Sequence, residues 1–333
     1  MHILGKMEED LHLAYQTRQL AVAAIKYFYE FNDITLNWKK IARFLGKNKK
    51  SAEDRPYTLE EIKLLLTKAD EQKRVIVYTL ASTGMRLGGM AELRMKHLKK
   101  IEDLYMFTVY KGTKSEYTTF CTPEAAAVID SYLEYRRICG EKVGPESSLI
   151  RNQFNKGESL KVAYPKPLAP HSIQQLIFGM LFDVGLRTRS IESDGGKHSR
   201  REFMAVHGFR KWMDTRLTGA TRNPVGTEIL LGHDIGLKGS YFKPDAETLL
   251  GEYRRGMDAL TIDDANRLKR ANVKLTAEVN EVQLLRAKME KQTEEMAHYK
   301  KQAAQFDDAL MHLWPAIQRL GMDKKDAGQG PSG

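Results

Sequence analysis

The sequence VHGFRKWMDTRL spans residues 206–217 and places His207 and Arg210 three residues apart. On a helix this spacing projects both side chains from one face. An imidazole can take up a proton near neutral pH, and a guanidinium can grip two phosphate oxygens together. H-x-x-R is short enough to arise by chance, and in isolation it usually marks an ordinary helix face. The pattern predicts a phosphate-binding and proton-accepting pair only if other segments support it.

A second segment, LLGHDIGLKGSYFKP, spans residues 230–244. His233 follows a Leu-Gly break, and Tyr241 comes eight residues later in a polar, Gly-rich setting. A tyrosine hydroxyl has a pKa of about 10, so it attacks only if it is deprotonated or held in a strongly cationic site. Taken alone, Tyr241 could equally be one of the half-buried aromatics among the 14 tyrosines of the chain.

Further towards the N-terminus, STGMRLGGMAEL covers residues 82–93. Thr83-Gly84 predicts a break between two helices, with the second continuing from Met85 to Leu98 and Arg86 in its first turn. The free amides and the dipole of a helix N-terminus favour anions. A single arginine near a helix start is most often a surface residue, so Arg86 also needs support from other segments.

A β-hairpin is predicted between these segments. LYMFTVY (104–110) and YTTFCT (117–122) are rich in aromatic and β-branched residues, and they flank the polar turn KGTKSE. The turn contains Lys111 and Lys114. Either lysine could be a catalytic acid or an ordinary solvated turn residue.

The order of these segments resembles that in the catalytic domain of the lambda-integrase-type tyrosine recombinases, the phage integrase family. The order is an arginine, a hairpin lysine, H-x-x-R, L-G-H and a tyrosine. The resemblance covers residues 57–255, and HGFRK and LLGHDIGLKGSY are its most specific pieces. YKGTKSEYTTF, HGFRKWMDT and LLGHDIGLKGSYFKP look most like archaeal members.

The resemblance implies a role for each matching residue. Arg86 and Arg210 would clamp the scissile phosphate, and His233 would hydrogen-bond it. His207 would accept or relay the proton of the nucleophile Tyr241, which would form a 3′-phosphotyrosyl link. The hairpin lysine, Lys114 in preference to Lys111, would protonate the leaving 5′-oxygen. This chemistry requires no cofactor, metal or ATP.

Two positions depart from the family pattern. An acidic residue usually follows three positions after the first arginine, and this chain has Gly89 there, so support for Arg86 is expected from elsewhere, with Glu92 as the candidate. The His233-to-Tyr241 spacing is one residue shorter than the commonest pattern, which leaves Tyr253 as a second candidate nucleophile.

The composition agrees with a DNA-binding protein. The 333-residue chain carries a formal net charge of +10, which favours polyanions such as nucleic acid or an anionic membrane surface. No stretch approaches the roughly 20 apolar residues of a membrane span. Cys121 and Cys139 are the two cysteines, which argues against a disulfide framework and a zinc site. We expect a cytoplasmic, nucleoid-associated protein.

The expected organisation has five parts. Residues 1–50 form a partial helical core-binding (DNA-binding) domain, 51–57 a linker, 58–260 the catalytic domain, 261–320 a C-terminal helical or coiled-coil extension, and 321–333 a disordered tail. A capping box of Thr58 and Glu61 predicts the first catalytic helix. Phosphate contacts are expected from the basic residues of the arm and from the hairpin turn: Lys26, Lys39, Lys40, Arg43, Lys47, Lys49, Lys50 and Lys111.

The extension carries apolar residues spaced by seven from Leu268 to Leu310, although companion positions such as Glu278 and Gln292 are polar. Self-association through this helix and a lone amphipathic helix are equally compatible with the pattern.

The predicted fold is therefore mainly α with a small antiparallel β-sheet (α+β), a tyrosine recombinase catalytic fold with a helical N-terminal arm and a long C-terminal helix. The predicted function is that of a site-specific DNA recombinase or integrase acting on double-stranded attachment sites as a homo-oligomer, a tetramer on DNA. Three alternatives remain: a non-catalytic DNA-binding integrase relic, DNA relaxation resembling that of type IB topoisomerases, and a coiled-coil adaptor whose basic charge is incidental.

Overall fold

The described part of the N-terminal arm contains two helices, as its sequence predicts. In the computed structural model, which describes residues 15–46, 55–155, 157–187, 205–236 and 243–326, with side chains to 319, α1 spans Tyr15–Phe31 and α2 spans Trp38–Ala42. The Asn37 side chain caps α2 by accepting a hydrogen bond from the Lys40 amide, and a 3₁₀ turn, Arg43–Leu45, follows. The basic residues after Gly46 lie outside the described residues.

Two helices lead into the catalytic unit. Helix α3, Leu59–Leu66, begins at Thr58, whose side chain forms the predicted capping box with Glu61. Helix α4, Glu71–Thr83, is buried on all sides from Val75 onwards, so it forms the centre of the core. It ends at Gly84, which has a left-handed φ of 59°. The predicted break after Thr83 is confirmed.

The chain then forms a short helix and a small sheet. Helix α5 spans Leu87–Glu92, and strands β1 (Leu98–Ile101), β2 (Leu104–Val109) and β3 (Tyr117–Phe120) pair antiparallel in the order β1-β2-β3. The predicted hairpin is confirmed, with Val109 opposite Tyr117.

The helix predicted from Met85 to Leu98 is wrong in its second half. After Glu92 the backbone pairs with a distant segment: the Met95 amide donates to the Ser147 carbonyl, and the Leu149 amide donates to the Leu93 carbonyl, each at 2.9 Å. These tertiary hydrogen bonds replace the local helical ones, and β1 follows at Leu98.

Six more helices lie in the described residues of this unit: α6 (Pro123–Ile138), α7 (Ser159–Ala163), α8 (Pro170–Asp183), α9 (His207–Thr221), α10 (Pro224–Leu230) and α11 (Ala246–Gly256). Three of them begin with proline, which suits the first helical position because its missing amide has no partner there. Helix α9 packs against α4 and α11 and buries Phe209 and Trp212 in the core.

A fully buried ionic cluster anchors the loop after α6. Arg136 donates to the Glu141 carboxylate (Nε–Oε2, 3.0 Å), and Arg151 donates to the same carboxylate (Nη1–Oε2, 2.8 Å). All three side chains are almost completely excluded from solvent. Burial alone would raise the pKa of Glu141, but the hydrogen bonds and charges of the two arginines outweigh it and hold this pKa below its ordinary value.

A 63-residue helix, α12, spans Asp264–Asp326, and a second unit begins within it at Leu268. The helix extends into the segment predicted as a disordered tail, and residues 327–333 lie outside the described ones. Pro315 lies inside it. Among the described residues, no helix combines the length and apolarity that crossing a bilayer would require.

Candidate active site

Arg86 lies at the N-cap of α5, one position before the predicted first turn, and its side chain is exposed. Its Nη1 donates a hydrogen bond of 3.1 Å to the Gly232 carbonyl, 146 residues away. The turn after α10 therefore holds the guanidinium of Arg86, and the chain segments around residues 86 and 232 meet at one place.

Arg210 lies beside Arg86 on α9 and is buried. Its Nη1 donates to the Gly84 carbonyl at 2.8 Å, and its Nη2 donates to the Leu231 carbonyl at 2.7 Å. Burial lowers the pKa of Arg210, and the positive charge of Arg86 lowers it further. Within the described part of the chain, no carboxylate forms a hydrogen bond or ion pair with either guanidinium. The two positive charges therefore remain largely uncompensated.

Tyr117, at the start of β3, packs against the same turn. Gly232 has a φ of 66°, and a Cβ added to it would lie 2.3 Å from Cδ1 of Tyr117. Both the backbone conformation and the tyrosine ring therefore require glycine here. The Tyr117 hydroxyl is buried beside the Arg210 guanidinium. Burial raises the pKa of this hydroxyl, whereas the charges of Arg210 and Arg86 lower it.

Glu228 orients the His233 side chain. Its Nδ1 contacts the Glu228 carboxylate, and its backbone amide donates to the Glu228 carbonyl at 2.9 Å. A carboxylate on Nδ1 fixes the ring and leaves Nε2 as the nitrogen open to a ligand.

These groups border a cleft of about 970 Å³. The side chains of Arg86, Lys114, Tyr117, His233 and Lys243 line it, together with two carboxylates, Glu116 and Asp234. Each carboxylate already accepts a backbone amide, from Gly112 (2.6 Å) and Gly236 (2.8 Å) respectively. Three cationic side chains line the cleft and Arg210 lies behind it, so the site favours an anion.

The two hairpin lysines are placed differently. Lys114 lines the cleft, whereas Lys111 lies near His97. Burial lowers the pKa of His97 first, and the charges of Lys96 and Lys111 lower it further. This placement favours Lys114 for a role in the cleft.

The proposed nucleophile, Tyr241, lies outside the described residues. The described residues on both sides of its segment, Asp234 and Ile235 before it and Lys243 after it, line the cleft. His207 is exposed at the first position of α9, one turn before Arg210.

Tyr253, the second candidate nucleophile, is fully buried in α11. Its hydroxyl donates to the Ser82 carbonyl at 2.9 Å. A hydroxyl in this position is closed off from any DNA strand, so the structure disfavours Tyr253.

The expectation that Glu92 supports Arg86 is wrong. Glu92 is exposed, no hydrogen bond joins it to Arg86, and the Gly232 carbonyl provides the contact. A Cβ at Gly89 would lie 2.6 Å from Cγ1 of Val109. Strand β2 thus occupies the space that an acidic side chain would need.

The basic residues predicted to contact DNA are distributed over the arm and the hairpin. Lys39, Lys40 and Arg43 are exposed, and Lys26 pairs with Glu30 at 3.5 Å. Lys47, Lys49 and Lys50 lie outside the described residues. The exposed cations of the arm are free to meet phosphates.

Tyr117 and Lys243 line the cleft, but no role was predicted for them from the sequence. Tyr117 begins the predicted second strand of the hairpin, where an aromatic residue is ordinary, so its side-chain direction could not be foreseen. Lys243 lies in the SYFKP segment, two residues after Tyr241, and that proximity was the signal for it.

Comparisons with known proteins agree with this geometry. No model of a known protein family matches the chain, and neither does any curated protein. Among solved structures, the XerH site-specific recombinase bound to palindromic difH substrate, a post-cleavage complex, matches with 14% identity and a TM-score of 0.51, over 81% of this chain and 70% of that chain. The Tn1549 transposon integrase in complex with a circular intermediate DNA matches with 14% identity and a TM-score of 0.50, over 76% and 82%. The chain therefore has the fold of the tyrosine recombinases.

Proposed function

We propose that this chain is a site-specific DNA recombinase that cuts and rejoins DNA strands through a 3′-phosphotyrosine. One observation carries the proposal: Arg86 at the cleft and Arg210 behind it lie side by side, held by backbone carbonyls, and among the described residues no carboxylate forms an ion pair with either. Such a pair suits a phosphodiester, whose non-bridging oxygens gain charge during cleavage. The fold match to a site-specific recombinase on a cleaved DNA substrate supports the same function.

The side chains of the cleft would divide the reaction among them. Tyr241 attacks the phosphorus and the bond to the 5′-oxygen breaks, while His207 accepts the phenolic proton. Arg86 and Arg210 hold the non-bridging oxygens. His233 donates a hydrogen bond from Nε2, and the hydroxyl of Tyr117, which lies beside Arg210, adds a neutral donor.

The leaving 5′-oxygen needs a proton, and Lys114 is the hairpin lysine that lines the cleft. A 5′-hydroxyl from a partner strand then attacks the phosphotyrosine, which restores a phosphodiester and frees Tyr241. One bond to phosphorus is exchanged for another in each step, so neither metal nor ATP is required for the chemistry.

Double-stranded DNA would lie across this cleft, with the exposed cations Lys39, Lys40 and Arg43 of the arm contacting phosphates. Strand exchange joins two duplexes and four cut strands. We therefore propose a tetramer on DNA, acting at the nucleoid.

The first experiment traps the covalent intermediate. The full chain is incubated with nicked suicide duplexes that tile the DNA flanking its gene, and protein–DNA adducts are separated on a denaturing gel. We expect an adduct that Tyr241→Phe abolishes. The matched control is Tyr253→Phe, which removes a buried hydroxyl in α11 and should retain the adduct.

The other outcomes point to the rival functions. Gel-shift binding without any adduct identifies a non-catalytic DNA-binding relic and contradicts the proposal. If the protein forms an adduct and relaxes supercoiled plasmid but never joins two duplexes, its activity resembles that of a type IB topoisomerase.

The role of Lys114 has its own test. Lys114→Ala should slow cleavage, and a substrate with sulfur in place of the bridging 5′-oxygen should restore the rate, because a thiolate leaves without a proton. Lys111→Ala, in the same turn, is the matched control and should cleave both substrates normally. If sulfur does not rescue Lys114→Ala, this lysine is not the acid.

A further inference from the structure

Large apolar side chains remain exposed along the C-terminal helix α12. Between Val282 and Leu313, ten of them are between 41% (Leu310) and 77% (Met311) exposed. Exposed apolar stripes of this length mark interaction surfaces, and packing of an apolar face supplies most of the stability of protein helices. The stripe therefore needs a partner surface.

The spacing of the stripe defines the partner geometry. Val282, Met289, Met296, Ala303 and Leu310 follow one another at intervals of seven, and Leu285, Gln292, Tyr299, Phe306 and Leu313 each come three residues later. Nine of these ten positions are apolar. A period of 3.5 residues places them all along one seam of a left-handed coiled coil.

The seam has a boundary at each end. One heptad earlier, Glu278 takes the place of Leu285, and a carboxylate in the seam would face a second carboxylate. At the other end, Pro315 has no amide to donate to the Met311 carbonyl and bends or interrupts a helix. The regular seam thus runs from Val282 to Leu313.

The residues flanking the seam select the orientation. In a parallel, in-register pair, Glu281 meets Arg286 of the second helix, and Glu295 meets Lys300. Lys288 meets Thr293 of the second helix, and Gln302 meets Asp307. None of the four flanking contacts therefore joins like charges. The uncharged Gln292 lies opposite its own copy, where the two amides can hydrogen-bond and fix the register.

We propose that residues 282–313 form a parallel, in-register, two-stranded coiled coil with a second copy of this chain, so that the protein is a dimer before it meets DNA. This pairing does not depend on the catalytic function proposed above. At a rise of about 1.5 Å per residue, the paired segment is about 48 Å long.

Sedimentation equilibrium of the full chain without DNA tests the pairing. We expect twice the mass of one 38.0 kDa chain. Met289→Glu, in the seam, should weaken dimerisation at least about a hundredfold, since two charges would be buried face to face. Ala287→Glu adds the same charge on the outer face of the helix and should leave the dimer intact.

A charge exchange tests orientation and register. The single change Glu281→Arg places the new arginine side chain opposite Arg286 of the second copy and should weaken the dimer about tenfold. Combining Glu281→Arg with Arg286→Glu should restore the dimer. A monomeric wild type, a dimer unaffected by Met289→Glu, or a double exchange that fails to restore pairing each overturns the proposal. Conversely, Glu278→Leu should extend the seam and tighten the dimer.

Discussion

Two arginine pairs in this protein have opposite electrostatic settings. Arg136 and Arg151 are fully buried around the single carboxylate of Glu141. Arg86 lines the cleft and Arg210 lies behind it, and their hydrogen-bond partners are the carbonyls of Gly84, Leu231 and Gly232. A carboxylate neutralises charge as it fixes geometry, whereas a carbonyl fixes geometry and leaves the charge in place.

The difference separates structural from functional arginines without reference to sequence motifs. A buried cation needs compensation, and in the first pair Glu141 supplies most of it. In the second pair, no carboxylate of the described residues forms an ion pair with either guanidinium, so an anionic ligand would be stabilised there. The two pairs should therefore respond in opposite ways to substitution.

The largest effect is expected at the structural pair. Glu141→Ala leaves Arg136 and Arg151 buried without a counter-charge and should lower the free energy of unfolding by about 3–5 kcal/mol. Urea denaturation measures this. Glu134→Ala, which breaks an exposed pair with Arg137 on the same helix, should leave stability nearly unchanged. Equal losses in both variants would remove the distinction between buried and exposed pairs.

Substitution in the second pair, Arg86 and Arg210, should lower activity more than stability. Arg86→Ala should slow strand cleavage by about 10²–10³-fold, because a donor to the developing charge is lost. The exposed side chain and its single hydrogen bond to Gly232 contribute at most about 1.5 kcal/mol to stability. Single-turnover cleavage and urea denaturation of one preparation provide both readouts. A large loss of stability with normal cleavage would contradict the assignment.

The uncharged hydroxyl of Tyr117 allows the same comparison of cleavage with stability at a neutral side chain. Its buried hydroxyl lies beside the Arg210 guanidinium, which is already held by two backbone carbonyls, so Tyr117→Phe should change the free energy of unfolding little. If the hydroxyl donates to the phosphate, cleavage should fall about tenfold. Thr118→Val, at the next residue lining the cleft, is the control. Unchanged cleavage in Tyr117→Phe would limit this residue to packing against Gly232.

The smallest effect is a pH dependence of stability. The folded-state pKa of Glu141 lies below its ordinary value of 4.5, so its carboxylate stabilises the fold above that pH, and this contribution is lost as pH falls further. Glu141→Gln should flatten the decline in unfolding free energy between about pH 5 and about pH 3. Parallel curves for wild type and variant would show that Glu141 titrates normally.

Local signals in the sequence predicted much of the fold. The capping box at Thr58, the break at Gly84 and the hairpin each depend on a few neighbouring residues, and all three are confirmed. The end of α5 was missed because hydrogen bonds to residues 147 and 149 decide it, and no local pattern encodes them.

The same division applies to the candidate site. Residue types and their order predicted Arg86, Arg210 and His233, which the fold brings to one place. The carbonyls that hold the arginines, and the contact between Tyr117 and Gly232, depend on distances between remote segments and could not be predicted. The assignment of Tyr241 remains a prediction.

The anchoring of Arg210 makes the candidate site depend on the folding of the whole unit. Gly84 terminates α4, Leu231 follows α10, and Arg210 lies on α9, so the guanidinium acquires both acceptors only after three remote segments have docked. If the chain is the proposed recombinase, a nascent or partly unfolded copy would lack this arrangement and could not nick DNA. By mass action, an anion such as sulfate that occupies the finished site should in turn raise the melting temperature.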